Sequence, residues 1–223
     1  QDTISLIAGQ KAVLIIAKRF MKIRNAELFL EVGVDATRYL NYVKEKNTGE
    51  NQEQYNLQLA YGYLYQGDVE NAQLAFDKVI LENIKDQEKY YPIYIRVKTK
   101  LLFEKKDDVR LRALLEEVVH SEFNDVVYSN YIKVFLLLLG NRYEEAIALL
   151  IDAVPEQYNR VQVVELEYYL AYAYKMFNQI EDALHVSGFI VKKGYKVIYT
   201  KLCDEIYEEL LEKKEISKND CLK

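Results

Sequence analysis

The sequence predicts an all-α protein, and three observations lead to this fold class. Only 8 glycines and 2 prolines occur among 223 residues, whereas β-sandwiches and α/β enzymes need many more turn residues. Apolar residues recur at the three- and four-residue spacing of amphipathic helices, as in Ile198, Leu202 and Ile206. Small or β-branched residues also recur every 37 positions, which indicates repeated helix pairs.

Two sets of positions carry this period, one in the first helix of each pair and one in the second. They are Ala60, Val97, Val134 and Ala171, and Ala72, Ala146 and Ala183. The second set lacks one copy, which we expect at Val109. Because small residues allow two helix backbones to approach closely, the period predicts where the two helices of each pair pack.

The predicted elements follow from this register and from residues that start or stop helices. Residues 4–22 and 26–45 form two N-terminal helices, and 196–214 form a closing helix over the last repeat. Eight repeat helices lie between them, over 52–66, 69–84, 88–105, 109–120, 126–139, 143–154, 161–177 and 181–193. Their predicted N-caps are Asp68, Asp108, Asp125 and Asn159. Pro155 and Gly194 are expected to end helices.

The chain divides into three predicted segments. Residues 1–50 form an N-terminal helical hairpin, which is either a degenerate repeat or a separate docking hairpin. Residues 51–194 hold four repeats of about 37 residues. Residues 195–223 hold the closing helix and a polar tail.

Three segments carry a family resemblance: LAYGYLYQGDVENA at 59–72, LGNRYEEA at 139–146, and LAYAY at 170–174 followed by NQIEDA at 178–183. They resemble the tetratricopeptide repeat (TPR) family, in which a Leu-small-x-x-Tyr helix, a turn and an Ala-containing second helix alternate. The resemblance covers about residues 53–193 and implies an α-solenoid of about four TPR-like hairpins. The second copy departs from the pattern, because Arg96 and Lys100 stand where Leu and Tyr are expected.

In the TPR family the first helix of each repeat lines a concave groove. The resemblance therefore implies a partner-binding groove rich in tyrosine. Its members are Tyr61, Tyr65, Tyr91, Tyr94, Tyr128, Tyr131, Phe135, Tyr168 and Tyr172. Tyr94, Tyr131 and Tyr168 share one helical phase and are expected to form a ladder. Tyrosine offers a large apolar surface and a hydroxyl group for partner binding, although the same residues also suit helix-on-helix packing.

The sequence offers little that could carry catalysis. Glu117 and His120, and likewise Asp182 and His185, are spaced as in di-iron bundles. The two pairs lie two repeats apart, however, and stacked repeats contact only their neighbours. Cys203 is expected to be a buried thiol, and no glycine-rich phosphate-binding motif occurs. We therefore expect no enzyme activity, no cofactor and no metal.

The predicted function is a non-catalytic scaffold that binds a protein or peptide. The groove charges are few (Lys98, Glu165 and Lys175), which favours an apolar or mixed partner segment. The net charge of −5 argues against nucleic acid. No apolar stretch reaches the roughly 20 residues of a membrane span. The two cysteines form no CxxC pair and are expected to be free thiols, so a reducing, cytoplasmic location is expected.

Two alternatives stay open. The scaffold is membrane-associated or extracytoplasmic if a segment upstream of Gln1 anchors it. The chain is otherwise the ligand-binding domain of a peptide-sensing bacterial regulator, since such regulators use similar TPR-like domains. The bacterial assignment follows from a composition low in Pro and high in Lys, Glu, Ile and Asn.

Overall fold

The structure, a computed structural model, describes residues 52–123, 125–153, 160–193 and 198–220. Within these ranges it contains nine α-helices, one short 3-10 helix and no strand. The helices are α1 Gln52–Tyr65, α2 Val69–Phe76, α3 Gln87–Glu104, α4 Asp108–Val119, α5 Val126–Leu139, α6 Tyr143–Ala153, α7 Arg160–Met176, α8 Ile180–Lys193 and α9 Ile198–Asp220. The all-α class is therefore confirmed for these residues. The predicted N-terminal hairpin, the Asn159 cap and the helix ends at Pro155 and Gly194 lie outside them.

Eight of these helices form four hairpins, α1–α2, α3–α4, α5–α6 and α7–α8, and one type of turn joins each pair. The turn residues with positive φ are Gly67, Lys106, Asn141 and Asn178. In the first turn the N–H of Asp68 donates to the carbonyl of Tyr63 at 2.8 Å, and the N–H of Gly67 donates to Leu64. The other three turns repeat this pair of hydrogen bonds, which is the Schellman motif that ends many helices.

The small residues of the 37-residue period are buried at equivalent places. Ala72, Ala146 and Ala183 have no exposed surface, and each N–H bonds the carbonyl of the residue four positions earlier, where the second helix begins. The first-helix set is equally buried: Ala60, Val97, Val134 and Ala171. The sequence period thus marks helix packing, as expected.

The second hairpin corrects one prediction. Val109, expected at the missing packing position, is 72% exposed, and Leu111 is fully buried instead. The reason is the length of α3, which continues two residues further beyond Val97 than the other first helices continue beyond their small residue. The turn and the whole start of α4 are displaced accordingly. Asp107 therefore caps α4 by accepting from the N–H of Arg110, and the predicted cap Asp108 is the first helical residue.

Two helix ends also differ from the predictions. Helix α2 ends at Phe76 and not at residue 84, because the β-branched Val79 and Ile80 follow and Ile80 is extended. A short 3-10 helix, Leu81–Asn83, then places Ile84 in the core. Helix α9 continues to Asp220, through part of the predicted polar tail, which contains neither Gly nor Pro to stop it.

The order of the hairpins determines which helices lie next to one another in the interior. Helix α3 packs against both α1 and α5, while α4 contacts α5, and α6 contacts α7. Helix α9 packs against α7 and α8, where Ile206 and Leu210 join Ala183 and Leu184 in one apolar cluster. Among the described helices, none combines the length and the apolar character that crossing a bilayer requires.

Candidate functional site

One carboxylate, that of Glu165 on α7, lies at the centre of the interior and is fully buried. The hydroxyl of Tyr131 on α5 donates to Glu165 Oε1 at 2.8 Å, and that of Tyr199 on α9 donates to the same oxygen at 3.3 Å. The hydroxyl of Tyr65 on α1 donates to Oε2. Three helices from different parts of the chain are thereby joined to α7 through one side chain.

Helix α3 supplies two buried cations to the same centre. Arg96 Nη1 lies 3.7 Å from Glu165 Oε2, and Lys100 Nζ lies 4.0 Å from Oε1. Lys100 also donates to the hydroxyl of Tyr169 and lies 3.7 Å from Glu104 Oε1. We call Tyr65, Arg96, Lys100, Tyr131, Glu165 and Tyr199 the Glu165 network.

The protonation of these groups reflects their burial. Burial raises the pKa of Tyr65, Tyr131 and Tyr199 well above the usual value, and the charge of Glu165 acts in the same direction. Burial lowers the pKa of Lys100, while Glu165 acts in the opposite direction. The folded state therefore holds the three phenols neutral beside the carboxylate.

Aromatic rings surround the network. Lys100 Nζ lies 4.4 Å from the ring centre of Tyr169, 5.2 Å from that of Phe135 and 5.3 Å from that of Tyr199. These distances fall within the roughly 6 Å reach of cation–π attraction. The lysine charge is thus stabilised by ring faces as well as by carboxylates.

The nine predicted groove residues divide into two groups in the structure. Five are buried: Tyr61, Tyr65, Tyr91, Tyr131 and Phe135. Four are partly exposed: Tyr94, Tyr128, Tyr168 and Tyr172. The expected ladder is therefore uneven, because Tyr131 is 3% exposed and bonds Glu165, whereas Tyr94 packs against Phe76 at a ring distance of 5.2 Å.

The three predicted groove charges are all engaged. Glu165 belongs to the network, Lys98 bonds Glu117 at 2.9 Å, and Lys175 bonds Glu209 on α9. The interior is thus filled by side chains of the chain itself, including Tyr199 from the closing helix, whose ring lies 5.4 Å from that of Tyr65.

Arg96, Lys100 and Tyr199 were not predicted as members of the site. A signal for the first two was present, since Arg96 and Lys100 are four residues apart in a helix at positions where the repeat pattern requires apolar or aromatic residues. Buried cations need a charged or polar partner, and Glu165 lies between the apolar residues Val164 and Leu166. Nothing in the sequence pattern placed Tyr199 beside them.

A cavity of about 380 Å³ opens next to the network, and we call it the Lys100 cavity. The turn of the first hairpin, the end of α3, the middle of α7 and the start of α9 form its walls. Its lining includes Lys100, Phe103, Glu104, Tyr168, Tyr172 and Leu202. Gly67 lines it too, at a φ of 82°, where an added Cβ would lie 3.1 Å from Ile198.

The other candidates for chemistry lie apart from this centre. His120 and His185 are both exposed, and the ring Nδ1 of His120 lies 2.8 Å from the carbonyl oxygen of Glu116. Cys203 is buried in α9, and burial raises the pKa of its thiol to about 12. Within the described ranges, no three His, Cys, Asp or Glu side chains are grouped so that they could hold a metal ion.

Comparisons with known proteins add no further evidence on this site. The sequence matches no protein-family model, and searches of curated proteins and of solved structures give no match. The TPR resemblance accordingly stays a prediction that rests on this chain's own residues.

Proposed function

We propose that the chain is a non-catalytic scaffold that binds a protein or peptide segment and is built as an α-solenoid of four TPR-like hairpins. The observation that supports this most is the recurrence of one turn geometry in all four hairpins, each followed by a fully buried residue at the same place. Stacked hairpins of this kind present extended surfaces to partners.

We propose a non-catalytic function because the charged groups of the interior bind one another. Glu165 accepts from three hydroxyl groups and faces two cations in a fully buried setting. A general acid or base must instead reach a substrate. This arrangement is suited to holding helices together.

The partner surface that we propose is centred on two of the partly exposed groove tyrosines, Tyr94 of the second hairpin and Tyr128 of the third. Tyr94 lies beside Phe76 and 5.3 Å from Lys98 Nζ. Tyr128 packs on Tyr91 at a ring distance of 5.9 Å. Such a surface suits a segment of apolar or mixed character, because it combines ring faces with the charged pair of Lys98 and Glu117.

The test is a selection of short random peptides displayed on phage against the whole chain. Enriched peptides are then synthesised, and their Kd is measured by fluorescence anisotropy with wild type, Tyr94→Ala and Tyr128→Ala. If these rings anchor the partner, each substitution weakens binding by about tenfold or more, while the thermal unfolding curve changes little.

Tyr63→Ala is the matched control, because Tyr63 is a partly exposed tyrosine on α1 that the proposed surface excludes. We expect its affinity to equal that of wild type. An equal loss of peptide affinity in all three variants, or no loss in any of them, would show that Tyr94 and Tyr128 do not form the partner surface.

A further inference from the structure

We propose that the Lys100 cavity binds a small monocarboxylic acid with an apolar or aromatic body, whose carboxylate is held by Lys100. This goes beyond the scaffold proposal, since it concerns a separate site. The juxtaposition that carries it is a buried cation in the wall of an open aromatic cavity.

The charge balance of the interior favours an added anion. Among the described residues, the fully or nearly fully buried charged side chains are Arg96, Lys100 and Glu165. These are two cations and one carboxylate, and the second carboxylate near Lys100, that of Glu104, is 40% exposed. Burying an uncompensated charge is costly, and a ligand carboxylate at Lys100 would supply the compensation.

Lys100 donates to the hydroxyl of Tyr169, but its distances to both carboxylates leave room for a closer anion. Its Nζ lies 3.7 Å from Glu104 and 4.0 Å from Glu165, whereas charge-assisted hydrogen bonds are about 2.7–2.9 Å long. Glu104 is 40% exposed and lies at the cavity rim. A ligand carboxylate would therefore compete with Glu104, which can turn towards water.

The walls and the volume of the cavity determine what kind of body the carboxylate ligand can have. Phe103, Tyr168, Tyr172 and Leu202 provide ring faces and an apolar side chain around the cation. A volume of about 380 Å³ lies at the small end of the ~300–1,000 Å³ range of ligand sites. One aromatic ring or a short alkyl chain with one carboxylate fits this volume, and a folded partner does not.

The test compares 3-phenylpropionate with 3-phenylpropanamide, which has nearly the same shape and no charge. Both are titrated into the full chain and Kd is measured from NMR chemical-shift changes. We expect the acid to bind at least about tenfold more tightly than the amide, since a lost ion pair in a buried site is worth more than 1.4 kcal/mol. Equal affinities, or no saturation by the acid at millimolar concentration, would overturn the proposal.

Two variants separate the ion pair from general apolar binding. Glu104→Gln removes the competing carboxylate without removing Lys100, so the acid is expected to bind several-fold more tightly and the amide as before. Lys98→Met is the matched control for a changed charge on the same helix, because Lys98 pairs with Glu117 and does not line this cavity. Its affinities for acid and amide should equal those of wild type. An equal effect of Glu104→Gln on acid and amide would contradict the assignment to Lys100.

Failure here is distinguishable from failure of the scaffold proposal. Tyr94 and Tyr128 do not line the Lys100 cavity, so the peptide test remains valid if no acid binds. Conversely, an acid that binds as expected says nothing about a peptide partner.

Discussion

Within the hairpins the second helix buries an alanine or Leu111 at its start, whereas the interior between hairpins holds a carboxylate, two cations and three phenols. The first kind of contact joins residues close in sequence. The second joins residues as far apart as Tyr65 and Glu165, which are 100 positions apart. The helices within each hairpin are thus packed by small apolar residues, and the hairpins are joined to one another by polar groups in addition to a shared apolar core.

The difference has an energetic consequence. A small apolar contact tolerates loss of a few atoms, but a buried ion pair leaves an uncompensated charge when one partner is removed. We therefore expect loss of one charged member of the network to destabilise the fold more than loss of one small apolar contact. Substitutions in the two regions should change the free energy of unfolding by different amounts, and these changes should depend differently on pH.

The largest effect is expected for Glu165→Ala. The substitution leaves Arg96 and Lys100 buried without their shared carboxylate, and it should lower the free energy of unfolding by about 3–5 kcal/mol. Urea unfolding followed by circular dichroism measures this. Glu167→Ala, on the same helix but partly exposed, is the control and should change stability by less than about 1 kcal/mol. Equal effects of the two substitutions would contradict the central role of Glu165.

Sequence reasoning succeeded where contacts are local. Helix positions and the buried Ala72, Ala146 and Ala183 follow from periodicity, because hairpin packing repeats with the chain. It failed at Val109, since the two additional residues of α3 leave no mark in composition.

The Glu165 network could not be predicted for a different reason. Tyr65, Tyr131 and Tyr199 come from three helices whose convergence depends on how successive hairpins are oriented. No spacing in the sequence encodes that orientation. The departure of Arg96 and Lys100 from the repeat pattern is visible in the sequence, but the carboxylate that pairs with these two cations is not.

Alkaline pH should be the next strongest perturbation. Tyr65, Tyr131 and Tyr199 keep their protons in the folded state at a pH where the unfolded chain releases them. Their contribution is complete below about pH 10 and falls by up to ~1.4 kcal/mol per tyrosine for each pH unit above it.

Lys100 acts with the opposite sign, because its pKa is lowered in the folded state. The lysine gains stability only up to about pH 10.4, its unfolded pKa, so above that pH only the tyrosine losses continue and the free energy of unfolding should fall. Urea unfolding between pH 8 and 11 measures it, and tyrosinate absorbance should rise together with unfolding for these residues. A stability that stays constant to pH 11 would contradict their burial.

Ala146→Leu probes the apolar contacts within a hairpin. Ala146 is fully buried near the start of α6, so the larger side chain should overpack the helix contact and cost about 1–3 kcal/mol. Ala148→Leu is the matched control, because Ala148 lies on the same helix and is exposed. The thermal melting temperature should fall for the first substitution and remain near wild type for the second. The loss should not depend on pH, in contrast to that of the network.

The smallest expected effect tests the displaced second hairpin. Asp107 accepts from the N–H of Arg110 and caps α4, whereas the neighbouring Asp108 is already helical. Both carboxylates form an exposed ion pair with an arginine, Asp107 with Arg110 and Asp108 with Arg112. Replacing each by alanine therefore removes a comparable surface pair, and the difference between the two reports the cap.

Asp107→Ala should cost about 1 kcal/mol, and Asp108→Ala should stay within about 0.5 kcal/mol. Chemical unfolding of both variants in one buffer is sufficient to resolve this difference. The reverse order would mean that Asp108 and not Asp107 caps α4, so that the helix would begin at Val109. Leu111 would then follow its cap by three residues, whereas Ala72, Ala146 and Ala183 each follow theirs by four, and the second hairpin would lose its equivalence to the others at this position.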